Sequence, residues 1–310
     1  MENKMKIGFI DVDGHNYPNI PLMKLSAYHK NKGDSVEWYE PLISGEMDII
    51  YMSKVFTFTS DYPYFVNAKK VIQGGTGYGI KKEDMLPMEI ESIFPDYSIY
   101  FEKIPEVKNT AYGFLTRGCP RNCEFCIVGK KEGLVSKKVS DLNNFWNGQK
   151  NIELLDPNTF ACKDWKEISN QLIQSGSWIN FNQGIDARIM TKEKLEYIKK
   201  MKIKSLHFAW DNFNDREMII EKFRLIKEVL QYDRRKLVVY VLTNFNTTHE
   251  QDLQRIYELR ELGFWPYVMI FEKEKLPRGH ITKKLQRWVN ARPLFESVKW
   301  FEDYLNKKGA

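Results

Sequence analysis

The sequence has few cysteines and no long hydrophobic run. It contains four cysteines in 310 residues, and no apolar stretch approaches the roughly 18–20 residues of a membrane-spanning helix. Leu237-Val238-Val239-Tyr240-Val241-Leu242, one of the longest, has the length of a buried strand. The amino terminus runs into a strand without a secretory hydrophobic segment. We therefore expect a cytoplasmic protein that does not bind membranes.

The chain also lacks a strong charge bias. Lys and Arg number 47 against 41 Asp and Glu, which leaves a net charge of +6. A mild excess of this kind permits an anionic partner without arguing for one. The hydrophobic fraction of 43% and the charged fraction of 28% are those of a globular protein. The length suffices for one large domain or two ordinary ones.

Three of the four cysteines lie within eight residues. Cys119, Cys123 and Cys126 have the spacing Cys-x3-Cys-x2-Cys in a loop rich in Gly, Pro and Asn, which suits convergence on one metal centre better than disulfides. A 4Fe–4S cluster is usually held by four cysteines, so three would leave one iron open. Structural zinc typically takes two close Cys or His pairs, and this loop has no second pair. The pattern favours an iron–sulfur cluster, with zinc as the alternative.

This motif, with Phe125 just before the third cysteine, resembles the signature of the radical S-adenosylmethionine (SAM) superfamily. The resemblance implies that the open iron binds the amino and carboxylate groups of SAM. It also implies reductive cleavage of SAM to methionine and a 5′-deoxyadenosyl radical, which abstracts hydrogen from a substrate. An electron donor of the flavodoxin or ferredoxin type is expected. Methyl or methylthio transfer to a nucleic acid or peptide is among the reactions that the resemblance allows.

Residues 1–107 predict a small α/β domain. Strands are expected at 5–13, 35–39, 48–58 and 71–73, with a helix at 20–31 after the first strand. Strands separated by helix-sized segments favour a doubly wound, flavodoxin-like parallel sheet. Ligands bind such sheets at the carboxyl ends of the strands.

The loops at those ends resemble the cobalamin-binding domain of cobalamin-type radical SAM proteins. The matching residues are Asp13, His15, Ser53, Gly74 and Gly75. The fullest family pattern is Asp-x-His-x-x-Gly, Ser-x-Leu and Gly-Gly, and this chain has Pro18 and Val55 where that pattern has Gly and Leu. Alternatively, the Asp and His shape a turn and the glycines permit positive φ. The glycine-rich run lacks the Lys-Ser/Thr of a P-loop.

Residues 108–275 alternate strands and helices. Strands are predicted at 111–116, 152–155, 178–181, 206–210, 237–242 and 267–271, and helices at 163–175, 191–201, 215–231 and 249–262. Thr191 and Thr248 suit N-caps, and Gly176 and Gly263 suit helix ends. Six such units, two short of a full eight-fold barrel, predict a partial (β/α)6 TIM-like barrel. The aromatic-rich segment 276–310 predicts a helical cap on it.

Functional groups in such barrels come from the carboxyl ends of the strands. Besides Phe125, the candidate SAM-binding residues at these ends are Asp156, Asn158, Asp186, Arg188, Asp211, Thr243 and Asn244. Asp186 suits a ribose hydroxyl and Arg188 a carboxylate. Asp156 and Asn158 are assigned by location alone, because the Gly-Gly-Glu-like stretch common in the family is missing there. Each residue would alternatively start a turn or cap a helix.

Two questions stay open at this level. Cys162 is expected to be a buried small side chain, with a hydrogen-donating thiol or a ligand as alternatives. The sequence assigns no catalytic residue and names no substrate. The rival function is a binding module for nucleic acid, without catalysis, whose cysteine site holds zinc or an iron–sulfur cluster.

Overall fold

A computed structural model describes residues 4–14, 16–79 and 86–306. The chain forms two compact units. The first contains the described part of Met1–Phe114 together with Val139–Glu153, and the second contains Leu115–Lys138 together with the described part of Leu154–Ala310. The described part of 276–310 clusters with the second unit, and the three-domain division expected from the sequence stays a prediction.

The first unit contains a four-stranded parallel sheet. Its strands are β1 (Lys6–Asp11), β2 (Ser35–Trp38), β3 (Met47–Ser53) and β4 (Ala68–Gly74), in the order β2-β1-β3-β4. The described part of this unit also contains the α-helices α1 (Ile20–Asn31) and α2 (Met88–Glu91). Ile7 and Phe9 on β1 pack against Leu22 and Leu25 on α1. The predicted α/β unit with a parallel sheet is confirmed.

Strand β3 ends earlier than the sequence predicts. The hydrophobic run extends to residue 58, but the strand stops at Ser53. Beyond it, the backbone N–H of Val55 donates to the carboxylate of Asp13. Phe56 and Phe58 are exposed and stack on each other. Aromatic residues in this segment resemble a strand in the sequence, although they lie on the surface.

A second sheet has six strands that follow one another in chain order. They are β5 (Thr110–Gly113), β8 (Asn151–Leu154), β9 (Trp178–Phe181), β10 (Lys202–Ala209), β11 (Leu237–Thr243) and β12 (Trp265–Ile270), in the order β12-β11-β10-β9-β8-β5. Strands β9 to β12 pair in parallel. The pairing does not close on itself among the described strands. The structure is therefore α/β with parallel sheets, as predicted.

Four amphipathic helices connect or follow these strands. They are α4 (Trp165–Ser175), α5 (Lys192–Lys200), α6 (Arg216–Leu230) and α7 (His249–Glu261), and each agrees with its predicted bounds within two residues. Thr191 and Thr248 cap α5 and α7 as predicted, and Gln251 completes a capping box. Gly176 ends α4 in the left-handed conformation. None of the described helices is both long and apolar enough to cross a membrane.

Short elements surround the cysteine loop and complete the carboxyl-terminal part. Before and after the loop run β6 (Thr116–Arg117) and β7 (Lys137–Lys138), which pair antiparallel, and α3 (Val128–Glu132) lies between them. The last helices are α8 (Ile281–Asn290), α9 (Arg292–Ser297) and α10 (Phe301–Asn306). Trp288, Phe295 and Phe301 from these helices pack against Trp265 on β12. These aromatic residues therefore belong to a hydrophobic core cluster of the second unit.

Candidate functional site

The cysteine loop is fixed at its base by one carboxylate. Arg117 Nη1 lies 2.7 Å from Glu132 Oε1, and the Gly118 N–H donates to Glu132 Oε2 over 3.1 Å. The Cys119 N–H donates to the Gly133 carbonyl oxygen over 3.1 Å. These bonds hold the two ends of the loop together, so the cysteines project from a closed turn.

Gly118 is required by the shape of this turn. Its φ is +84°, in the left-handed region, and a Cβ there would collide with the Val135 carbonyl oxygen. Gly148 provides a matched comparison, because its φ is +83° and a Cβ there would meet nothing within 4 Å. The two positions differ in the available space and hardly in backbone strain.

We expect Gly118→Ala to destabilise the protein more than Gly148→Ala does. The strain of a left-handed alanine costs about 1–2 kcal/mol at either position, but only position 118 adds the backbone collision. Urea unfolding of both variants measures the difference. Equal losses of unfolding free energy in the two variants would show that the backbone around Gly118 shifts to accept a Cβ at no cost.

The three thiols of the loop share one electrostatic environment. Each is partly exposed, and the Cys126 N–H donates to the Cys123 carbonyl oxygen over 2.9 Å. Burial raises the pKa of the Cys123 and Cys126 thiols, and the charge of Cys119 raises both further. Across residues 4–14, 16–79 and 86–306, no group of three His, Cys, Asp or Glu side chains is placed to hold a single metal ion.

Asn158 reaches the cysteine loop from the end of β8. Its Nδ2 lies 3.5 Å from the Sγ of Cys119, and its backbone carbonyl accepts a 2.9 Å bond from Ser136 Oγ. The side chain is buried, and its Oδ1 has no hydrogen-bond partner. A buried oxygen without a donor is costly. The site therefore contains an acceptor suited to a ligand N–H group, beside the first cysteine.

Asp156 joins the end of β8 to the start of the loop. Its carboxylate accepts bonds from the Thr116 hydroxyl over 2.7 Å, from the Thr116 N–H, and from the Leu115 N–H over 3.1 Å. Burial raises the pKa of Asp156 to about 6, although the bonds from Thr116 and Leu115 work in the other direction. This aspartate, assigned to the site by location alone, is occupied in holding the loop.

This pKa predicts a pH dependence of stability. The unfolded carboxyl has a pKa of about 3.9, so the folded protein keeps the proton of Asp156 to a higher pH than the unfolded chain. The free energy of unfolding should therefore fall as the pH rises from about 4 to about 6, by up to about 3 kcal/mol for this group. Urea unfolding at several pH values should show a shallower dependence in Asp156→Asn. Identical profiles for both proteins would contradict the assignment.

Asp186 and Arg188 lie in a row of alternating charges. Asp186 Oδ1 lies 2.8 Å from Arg188 Nε, and Arg188 Nη1 lies 2.8 Å from Asp215 Oδ2. Arg121, from within the cysteine motif, places its Nε 2.5 Å from Asp186 Oδ2. Burial opposes ionisation, but Arg188 and Arg121 keep the pKa of Asp186 below its ordinary value. The sequence prediction missed Arg121 and Asp215.

This pairing changes the meaning of two predicted residues. Asp186 was expected to accept a ribose hydroxyl and Arg188 to grip a carboxylate. In the structure they bind each other, and Arg121 attaches the cysteine loop to the segment after β9. Whether they also contact SAM stays a prediction. The only sequence signal for a role of Arg121 was its position between Cys119 and Cys123 in the motif.

Asp211 lies after β10, and its charge acts on the pKa of two loop thiols. Burial raises the pKa of Asp211 to about 6, against the opposing charges of Arg255 and Arg188. Its charge also raises the pKa of the Cys123 and Cys126 thiols. Asp211 is therefore a carboxyl whose charge acts on two of the three thiols.

Thr243 and Asn244 at the end of β11 make bonds to the neighbouring strand segment. Thr243 Oγ1 donates to the Met269 carbonyl oxygen over 3.1 Å, and Asn244 Nδ2 donates to the Phe271 carbonyl oxygen over 2.9 Å. Asn244 has a φ of +61°, a conformation that Asn tolerates better than most residues. These bonds favour the alternative interpretation, a turn, over a direct role in binding.

Phe125 attaches the third cysteine to an aromatic row. Its ring centroid lies 5.5 Å from that of Phe245, which lies 5.0 Å from that of Phe271, both in edge-on geometry. The motif aromatic therefore packs against the segments that follow β11 and β12. This row places an apolar wall beside Cys126.

Cys162 is buried, unlike the three partly exposed cysteines of the loop. It is 1% exposed, and its Sγ lies 3.9 Å from Asp164 Oδ2. Burial raises the pKa of its thiol. This environment suits the expected role of a small buried side chain.

The cobalamin residues of the first unit are bonded within the chain. Ser53 Oγ accepts a 2.8 Å bond from Asn19 Nδ2, and one oxygen of Asp13 accepts from the Val55 N–H. Gly75 has a φ of +96°, and a Cβ there would collide with the Lys54 carbonyl oxygen. A Cβ added at the neighbouring Gly74 would meet no atom within 4 Å. His15 lies outside the described residues.

Whether cobalamin binds here stays a prediction. The close approach at Gly75 is filled by this chain's own backbone, and the Ser53 hydroxyl already has a partner. The other oxygen of Asp13, Oδ1, is buried and has no hydrogen-bond partner in the described part of the chain. The function proposed below does not depend on cobalamin.

Three partly exposed cysteines lie within one loop, and the fourth cysteine, Cys162, is buried. An unpartnered acceptor, Asn158 Oδ1, lies beside them. Comparison with models of known protein families found no match, and comparison with characterised proteins found none either.

Proposed function

We propose that this protein is a radical SAM enzyme. The observation that carries the proposal is the Cys-x3-Cys-x2-Cys spacing of Cys119, Cys123 and Cys126 in a loop whose ends are bonded to each other. The polar ends of several parallel strands supply its surroundings, through Asn158, Asp186 and Asp211. The fourth cysteine is buried; we assign the three loop cysteines to the cluster, which would leave one iron open.

Cys119, Cys123 and Cys126 would hold the 4Fe–4S cluster. When bound, the cluster supplies the electron that cleaves SAM into methionine and a 5′-deoxyadenosyl radical. Asn158 would donate its amide N–H to the cysteine sulfur, and such bonds to sulfur tune the potential of iron–sulfur centres. Phe125 and Phe245 would exclude water on one side. Arg121 and Asp186 would keep the loop in place.

The remaining expectations fit this proposal. The six-stranded sheet, with parallel pairing from β9 to β12, suits an open (β/α)6 barrel, α8 to α10 suit its cap, and the first sheet suits a flavodoxin-like unit. The reaction would take place in the cytoplasm with a flavodoxin- or ferredoxin-type electron donor. Methyl or methylthio transfer is among the outcomes that hydrogen abstraction permits.

Anaerobic reconstitution with iron and sulfide tests the proposal. We expect a brown protein that, with a reductant such as dithionite, releases 5′-deoxyadenosine from SAM. Iron content and absorbance measure the cluster, and chromatography measures the product. A colourless protein with stoichiometric zinc would instead support the binding module. A brown protein that leaves SAM intact under reduction would also overturn the enzyme assignment.

A further inference from the structure

The second unit contains a cavity of about 440 Å³ that the site described above does not use. It lies against strands β10, β11 and β12. Its lining residues are Asn182, Gln183, His207, Val238, Tyr240, Tyr267, Met269 and Arg292. On β10, Phe208 follows His207 and packs on the other face of the sheet, against Phe223 of α6. The cavity therefore lies on the sheet face opposite to that helix.

Three rings form a ladder across the strands at this cavity. The His207 and Tyr240 rings are parallel, with centroids 5.4 Å apart. Tyr240 pairs in register with Tyr267, whose ring is edge-on at 5.8 Å. Tyr267 is 42% exposed, so part of its ring is open to a planar ligand. Aromatic rings at such positions bind the flat faces of bases.

His207 makes the cavity selective for a ligand with an N–H group. One ring nitrogen bonds the Phe181 carbonyl and must donate the proton. The other, Nδ1, is buried and has no partner. Burial lowers the pKa of His207, which keeps Nδ1 as an acceptor. A buried acceptor of this kind favours a ligand that donates to it.

The rest of the lining adds polar groups for the other edges of a ligand. Asn182 and Gln183 contribute side-chain amides, which pair with the donor and acceptor edges of bases. Arg292 lies with its guanidinium carbon 5.0 Å from the Trp265 ring centroid, so its position near the cavity is supported by stacking. A guanidinium suits a phosphate group.

We propose that this cavity binds the base of a nucleotide, stacked on Tyr267, with a base N–H donating to His207 Nδ1 and the phosphate near Arg292. That the nucleotide is the substrate of the radical rests on the proposed function, whereas the binding itself does not. A plain hydrocarbon ring would leave the histidine nitrogen unpaired, and a base does not. The volume suits a single nucleotide, which is either free or one residue of a single strand.

Calorimetric titration of the reconstituted protein without SAM or reductant tests the binding. The probes are the four nucleoside 5′-monophosphates, a single-stranded pentanucleotide and benzyl phosphate, a ring with a phosphate but no N–H. We expect at least one nucleotide probe to bind with a Kd below about 1 mM and benzyl phosphate to bind at least about tenfold more weakly. Binding only of the pentanucleotide would identify nucleic acid as the source, whereas mononucleotide binding would identify a free nucleotide.

Variants separate the contacts. We expect Tyr267→Ala to weaken nucleotide binding about tenfold or more, and Tyr267→Phe to retain it. His207→Phe keeps a ring but loses the acceptor, so it should remove the preference over benzyl phosphate. Arg292→Gln should reduce the preference for a nucleotide over its nucleoside. The control is Met218→Ala, at an exposed position of α6 outside the cavity. This variant should bind nucleotides as the parent protein does.

The outcomes distinguish this inference from the proposed function. It is overturned if no nucleotide probe binds, if benzyl phosphate binds as well as the nucleotides, or if Tyr267→Ala binds like the parent. If 5′-deoxyadenosine is released while no nucleotide binds, the enzyme assignment stands and the substrate class falls. If nucleotides bind but SAM is not cleaved, the cavity assignment stands alone.

Discussion

Replacing Cys119, Cys123 or Cys126 by Ala is expected to abolish both iron binding and 5′-deoxyadenosine release. Each variant would leave two thiols, and the loop has no fourth cysteine to substitute. The thiols are partly exposed, so a small side chain there should disturb the fold little. The effect should therefore be nearly complete for the cluster and small for stability. Iron and sulfide analysis after anaerobic reconstitution measures the first, and thermal unfolding the second.

The matched control is Cys162→Ala. This thiol is buried and contacts Asp164, and it is not one of the proposed ligands, so its removal should leave the iron content unchanged and should cost some stability through the small cavity that it creates. Loss of iron in Cys162→Ala, or full iron in any of the three loop variants, would refute the ligand set. Retention of zinc by all four variants would point to a different site altogether.

Replacing Arg255 by Met is expected to cause a large loss of stability. Arg255 is fully buried. Its Nη1 donates to the Trp210 carbonyl oxygen over 2.5 Å, and its Nη2 to the Leu242 carbonyl oxygen over 2.7 Å and to Asp252 over 2.5 Å. One side chain thus joins the ends of β10 and β11 to the first turn of α7. The variant would leave the buried Asp252 carboxylate with only the hydrogen bond from the Thr247 hydroxyl, and would remove the guanidinium donors from two carbonyls.

Removing one partner of a buried ion pair typically costs about 3–5 kcal/mol, and we expect a loss of this size in urea unfolding. Arg255→Lys should rescue only part of it, because an ammonium group cannot reach several separate acceptors as a planar fork does. Arg216, which pairs with Glu258 near the surface, is the control, and Arg216→Met should change stability little. Equal effects at positions 255 and 216 would contradict the structural role of Arg255.

The strands and helices were largely predictable from the sequence, because local patterns determine them. Helix α7 illustrates this, since Thr248 and Gln251 are a capping box in sequence and in structure. Strand β11 illustrates it too, because a run of apolar residues predicts a strand buried on both faces. The predicted length of β3 was wrong because its end does not depend on local pattern alone. Phe56 and Phe58 raise the local strand propensity, but propensity does not say whether a neighbouring strand is available.

The candidate site was predictable as a location and not as a set of contacts. The strand-end rule brought Asp186 and Arg188 to the region of the cysteine loop. It did not foresee that Arg121 would pair with Asp186, because a contact between residues 65 positions apart has no local signal. Arg255 was missed for the same reason. Its sequence neighbours describe an ordinary helix surface, and only the tertiary structure buries it.

The burial of Cys162 has a consequence for measuring the motions of the protein. A thiol reagent added to the cluster-free chain should react quickly with the partly exposed cysteines and reach Cys162 only when the surrounding structure opens. The slow phase of modification would then report the opening rate around the start of α4. Cys162, which has no proposed chemical role, would thus report the rate of local unfolding.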